Sequence, residues 1–234
     1  MFGYWSYYMD PTWIIVIPAL ILTLWAQHRV NSTFDKYSKV RSMRGISASD
    51  VARRILDLNG LRNVTVEMTH GRLTDHYDPK TNVVRLSESV YNSTSVAAIG
   101  VAAHEVGHAV QHAVGYAPIK IRNSIVPVVS LCSNLAIPLF IIGLVLGGSQ
   151  YTFLMDLGII LFAAAVIFHI ITLPVEINAS RRAVSTLESN YILEGDEIKG
   201  AKSVLSAAAM TYVASAAMAV LQLLRLILVR NRRD

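Results

Sequence analysis

His104-Glu105-Val106-Gly107-His108 sets two imidazoles four residues apart with a carboxylate between them. On an α-helix, positions i and i+4 lie one turn apart on one face, so both rings can reach a single divalent ion. A glutamate directly after the first histidine can take a proton from water activated by that ion, which is the logic of an H-E-x-x-H zinc hydrolase. The surrounding stretch 95–115, SVAAIGVAAHEVGHAVQHAVG, is rich in alanine and predicts a helix. Ser93, Thr94 and Ser95 are candidate N-caps, and Gly115 and Pro118 mark the end. Ala102, Ala103, Gly107 and Ala109 are small and allow other elements to come close. A pair of ordinary buried histidines would leave Glu105 as an unpaired carboxylate in an apolar helix, which is costly.

A catalytic zinc takes three protein ligands and keeps one position open. Glu176, His112 and Asp156 are the candidates for the third. His112 is eight residues beyond His104 on the same helix, about 12 Å away by helical rise, too far to share the site easily. The choice between Glu176 and Asp156 depends on the elements that carry them.

Those elements are largely membrane helices. Of the 234 residues, 53% are hydrophobic and only 16% charged, which is the balance of an integral membrane protein with a modest polar part. The net charge of +5 comes without a run of basic residues interleaved with aromatics, so nucleic-acid binding is a poor reading. The single cysteine, Cys132, cannot form an internal disulfide.

Tyr4, Trp5, Tyr7, Tyr8 and Trp13 resemble an interfacial aromatic belt ahead of an uncharged run at 11–28, the lower end of a span. No basic n-region or small-residue cleavage site precedes it, so a retained anchor is expected rather than a signal peptide. Residues 125–146 and 157–175 are two further uncharged runs joined by Gly147-Gly148-Ser149-Gln150, a hairpin of spans. His169 lies in the second and reads as a hydrogen-bonded helix contact. Residues 203–224 are a fourth uncharged run with an Ala-rich first half. Their length favours a membrane helix, although Arg230, Arg232 and Arg233 would then emerge on the side with few positive charges.

Arg29, Lys36, Lys39, Arg41 and Arg44 follow the first span, Lys120 and Arg122 precede the second, and Arg181 and Arg182 follow the third. The segments 1–10 and 147–150 have no lysine or arginine, so the polar part is expected in the cytoplasm. Two spans separate the metal helix from Glu176, an even number, which returns Glu176 to the side of His104 and His108. Asp156 lies at the far end of its span. It becomes the third ligand only if the metal helix itself is buried in lipid, the intramembrane-protease alternative.

The polar part begins with a helix capped at Ser47-Ala48-Ser49-Asp50, with Val51, Ala52, Ile55, Leu56 and Leu58 at helical spacing and Asn59-Gly60 at its end. Residues 64–66 read as a strand. Residues 73–77 and 83–86 flank the turn Asp78-Pro79-Lys80-Thr81-Asn82 and predict a β-hairpin. An exposed edge of it, around Asp75, His76 and Tyr77, could hold an extended peptide by strand addition. His70 and His76 read as surface histidines.

The expected organisation is a mainly α, multi-pass membrane protein with three to four transmembrane helices. Residues 1–28 form the anchor, 29–122 a zincin-like part with a small hairpin or sheet, and 123–175 the transmembrane hairpin. Residues 176–202 form the third-ligand helix and an acidic loop, and 203–234 a C-terminal membrane-associated helix with a basic tail.

HEVGHAVQH, the hairpin TDHYDPKTNVVRLS, the downstream PVEINASRRA and the paired spans between them resemble the YugP-like membrane zinc metallopeptidases. More distantly they resemble HtpX-like proteases and CAAX prenyl-protein endopeptidases. The resemblance covers almost the whole chain and implies a gluzincin-type endopeptidase holding one Zn²⁺ per chain on His104, His108 and Glu176, with Glu105 as general base. In those relatives the second motif is E-x-x-A-D. Glu176 and Ala179 match it, whereas Ser180 stands at the aspartate, so support of the ligands falls to a hydroxyl, with Asn178 also nearby in sequence. The expected partners are a protein or peptide substrate, membrane proteins among them, and the lipid bilayer. A non-catalytic scaffold with a vestigial zinc site is the reading from a different class, and the intact H-E-x-x-H argues against it.

Overall fold

The computed structural model describes residues 11–232. The tyrosines and tryptophan expected as a belt before Trp13, and the last two residues, lie outside the described residues. The element order is α1 Trp13–Tyr37, α2 Ala48–Leu58, β1 Thr65–Thr69, β2 His76–Asp78, β3 Val83–Ser87, α3 Glu88–Tyr91, α4 Val96–Ala113, α5 Ala117–Leu146, α6 Thr152–Ser189 and α7 Asp196–Asn231. The chain divides into two compact units. Among the described residues, one comprises 11–25, 121–173 and 212–232, and the other 26–120 and 174–211.

The first unit consists of helical segments from α1, α5, α6 and α7. These four helices are each long and apolar enough to cross a membrane. Their outward side chains are large and apolar: Ile14, Ile17, Leu20, Ile21 and Leu24 on α1, Val128 and Leu131 on α5, and Ile160 and Ile167 on α6 are all exposed. Such a surface is stable where lipid replaces water. Small residues set the close crossing of α5 and α6. A Cβ added at Gly158 would lie 2.7 Å from the Ala136 carbonyl oxygen, and one at Gly143 would lie 2.9 Å from the Met155 backbone nitrogen.

The fourth hydrophobic run is accommodated by two polar contacts. Arg230 Nε donates to Asp156 Oδ1 at 2.7 Å, and Arg225 lies over the Trp13 ring at 3.6 Å from its centroid, with its Nε 3.3 Å from Thr12 Oγ1. The end of α7 is therefore level with the starts of α1 and α6. The Asp156 carboxylate pairs with Arg230, one of the three arginines that the charge rule disfavours at that end, and the Trp13 ring face accommodates Arg225.

The second unit is built around α4. α2 starts as the cap sequence predicts, with the Asp50 N–H donating to Ser47 Oγ at 3.2 Å, and Val51, Ala52, Ile55 and Leu56 are buried. The hairpin of β2 and β3 forms, with Tyr77 opposite Val84. In addition, β1 pairs parallel with β3, giving the order β1-β3-β2. The Asp78 carboxylate accepts from Thr81 Oγ1 and the Lys80 N–H at the turn, and those bonds hold its pKa down to about 2. The core joins Val51, Ile55 and Leu56 of α2, Val84 and Leu86 of β3, Ile99, Ala102 and Val106 of α4, Ala183 and Leu187 of α6, and Ala201 and Leu205 of α7.

Two boundaries differ from the expected ones. The third-ligand helix is not a separate element starting near 176; α6 runs from the apolar run through Pro174 to Ser189. Proline removes one N–H from the ladder, and long membrane helices tolerate that loss where neighbouring groups satisfy the freed carbonyl. The acidic loop is shorter than expected because Asp196 and Glu197 form the first turn of α7, where the helix dipole favours them.

Candidate metal centre

α4 has the expected length and caps. The Ala98 N–H donates to Ser95 Oγ at 3.2 Å, and Gly115 adopts φ +68° just past the last turn. His104 and His108 project from one face, their rings edge to face with centroids 4.7 Å apart. α6 crosses this helix closely because Gly107 has no side chain; a Cβ there would sit 2.9 Å from the Ala179 carbonyl oxygen. That approach brings in Glu176, which is 1% exposed. Its Oε2 lies 3.3 Å from His104 Nε2 and 3.5 Å from His108 Nε2. One ligand atom from each of the three side chains falls within 4.8 Å of the others, so these residues could hold a metal ion.

The donor set fits zinc. Tetrahedral bonds of about 2.0–2.1 Å place neighbouring ligand atoms roughly 3.3 Å apart, close to the two carboxylate–imidazole distances found here. Two neutral nitrogens and one carboxylate oxygen form a set that zinc accepts. The far nitrogens of both rings are also engaged. His104 Nδ1 is 3.1 Å from Ser180 Oγ, and His108 Nδ1 is 3.0 Å from Gln111 Oε1. Both Nε2 atoms are thereby turned toward Glu176. Burial disfavours a charged His108, but the hydrogen bond with Glu176 and the charges of Glu105 and Glu176 outweigh it and raise its pKa.

Glu105 lies on the same helix between the two ligands and is 9% exposed. Among the described residues its carboxylate has no hydrogen-bond or ion-pair partner, and its charge is felt at both His108 and Asp75. The Asp75 carboxyl accepts from the Ser87 N–H at 2.7 Å and from Ser87 Oγ at 3.0 Å, while burial raises its pKa. Tyr77 Oη lies 3.1 Å from Asn82 Oδ1 and 3.3 Å from His112 Nδ1, which sets β2 against the end of α4. His76 is exposed, with Nδ1 2.8 Å from the Thr74 carbonyl oxygen.

The other candidates lie elsewhere. Asp156 is paired with Arg230, and the group that could hold a metal among the described residues is His104, His108 and Glu176. His112 bonds Tyr77, and His70 bonds Glu88. Asn178 Oδ1 accepts from Gln111 Nε2 and Arg182 Nε. Gln111, within hydrogen-bond distance of His108, is a neighbour of the metal-binding group that the motif reading missed. Its only sequence signal is a polar residue in an apolar run, one turn after the second histidine.

Two helices thus bring a histidine pair and a glutamate together as a candidate metal site, with the Glu105 carboxylate on the same helix as the histidines. The chain belongs to the family described as "Putative neutral zinc metallopeptidase", which matches residues 12–231. It is 51% identical over 221 residues to the "Putative membrane protease YugP" of Bacillus subtilis (strain 168), covering 94% of this chain and 97% of that relative. No solved structure matches.

Proposed function

We propose that this protein is a membrane-embedded zinc endopeptidase. The observation that carries the reading is the convergence of His104 and His108 with Glu176, which lies 72 residues after His104, with both Nδ1 atoms held from behind. Zn²⁺, when bound, supplies Lewis acidity toward the scissile carbonyl and toward water. Glu105 takes the proton from the attacking water and returns it to the leaving amine, a role open to a carboxylate without a competing partner. Ser180 and Gln111 hold the two rings, and the core around α4 holds both helices.

The substrate is a peptide in extended form. Among the described residues β2 pairs with β3 alone, so its other edge offers free N–H and C=O groups for strand addition. Tyr77 fixes this edge to α4. Asp75 contributes by anchoring the strand's entry to Ser87, and His76 faces outward, where it can meet the peptide. The test uses the full chain purified in detergent. About one zinc per chain, cleavage of casein or a peptide library, loss of cleavage with a chelator and its return with zinc are expected. Cleavage that survives metal removal would sink the reading.

The catalytic unit is assigned to the cytoplasmic side, following the Arg29–Arg44 and Lys120–Arg122 charges. With four spans both chain ends lie outside. Alkaline phosphatase fused after Asp234 is expected to be active in a bacterial host, and a fluorescent protein fused there to be dark. The opposite pair of results would reduce the count to three.

A further inference from the structure

Gln111 is fully buried at the crossing of α4 and α6. Its Nε2 lies 2.8 Å from the Val175 carbonyl oxygen and 2.9 Å from Asn178 Oδ1, and its Oε1 is 3.0 Å from His108 Nδ1. The orientation of this amide is fixed from two sides. A backbone carbonyl only accepts, so the nitrogen must face Val175. Arg182 only donates, and its Nε lies 2.8 Å from Asn178 Oδ1, so that oxygen too requires a donor from Gln111. The amide oxygen is left facing His108, and a carbonyl oxygen there requires a proton on Nδ1.

We propose that Gln111 is a positioning residue for the metal ligand His108. It selects the Nδ1-protonated tautomer, aims the Nε2 lone pair at the site, and ties that ring to the backbone of Val175, next to the ligand Glu176. The inference rests on the zinc reading of the site. A carboxylate at 111 could accept from His108 but could not donate to Val175 without a proton, and an apolar side chain could do neither. Glutamine, with an acceptor and a donor on one planar group, serves both histidine and helix. The site then differs from a carboxylate-supported one, since a neutral hydroxyl backs His104 and a neutral amide backs His108.

The experiment measures zinc affinity by competition with a chromogenic chelator and, separately, the thermal unfolding of the metal-free protein. Gln111→Met is expected to weaken zinc binding about 10- to 100-fold, the range for a lost outer partner of a ligating histidine. Gln111→Glu keeps an acceptor for His108 and is expected to stay within about threefold of the parent while unfolding at a lower temperature, because Val175 loses its donor. If Gln111 merely ties two helices, both variants lose zinc to the same degree, and that result overturns the proposal, as does a Gln111→Met protein with parental affinity. Should Gln111→Met fail to fold, zinc-loaded parent labelled with ¹⁵N-histidine decides. The His108 signal, assigned by its absence in His108→Ala, is expected to show an Nδ1 proton, and an Nε2 proton overturns the assignment. A parent that binds no zinc would instead refute the underlying metal reading.

Discussion

Glu105→Gln is expected to abolish peptide cleavage while zinc content remains at the parental level. The substitution keeps the shape of the side chain and removes its basicity. Glu105 is not among the three residues whose ligand atoms converge, so the metal set survives the change. What is lost is the proton carrier, worth about 10²- to 10⁴-fold in rate, or roughly 3 to 5 kcal/mol of barrier. Its surroundings also favour a selective effect. Glu105 is almost buried but accepts no hydrogen bond from any described residue, so the amide leaves no protein donor unsatisfied. Metal analysis and turnover on the same preparation separate the outcomes. Undiminished cleavage would remove Glu105 from the mechanism, and loss of zinc along with cleavage would make it a structural or ligand residue instead.

The site was legible in the sequence where one element decides its geometry. His104 and His108 needed only the helical period, and the caps at Ser95 and Gly115 are local chemistry. Glu176 needed one more step, the even number of apolar runs between it and α4. Gln111 was not legible, because its role depends on how closely α6 approaches. That distance follows from Gly107 meeting the Ala179 backbone, which no spacing rule encodes. The fold divides in the same way. The hairpin of β2 and β3 is written in its turn residues, whereas the parallel pairing of β1 with β3 is a non-local contact with no marker of its own. Pro174 misled for a physical reason. Its effect on a water-exposed helix is to break it, but here it lies within α6, which runs on from the apolar run to Ser189. Arg230 was read with Arg232 and Arg233 as a cost of a fourth span, without its partner Asp156, which only the folded chain reveals.

Glu176→Gln and Asp156→Asn form a matched pair that identifies the third ligand. Both replace a carboxylate by its amide, and both acids lie on α6. Glu176 is 1% exposed with its carboxylate against two imidazoles. An amide oxygen carries no charge and binds a hard cation more weakly, and the loss of a direct ligand should exceed that of an outer partner, so zinc affinity is expected to fall by more than about 100-fold. Bound zinc stabilises the native state by mass action, so the rise in unfolding temperature on adding zinc should also vanish in Glu176→Gln. Asp156→Asn gives up only the pairing with Arg230, and zinc content, affinity and the zinc-dependent rise in unfolding temperature should all match the parent. Any cost of Asp156→Asn should appear as lower stability of the helical unit that holds Asp156, with or without metal, because an arginine in an apolar setting loses its counter-charge. The reverse pattern, zinc lost from Asp156→Asn and kept by Glu176→Gln, would overturn the metal centre described above and restore the intramembrane arrangement. Equal retention by both variants would mean that zinc does not depend on a third carboxylate from α6 at all.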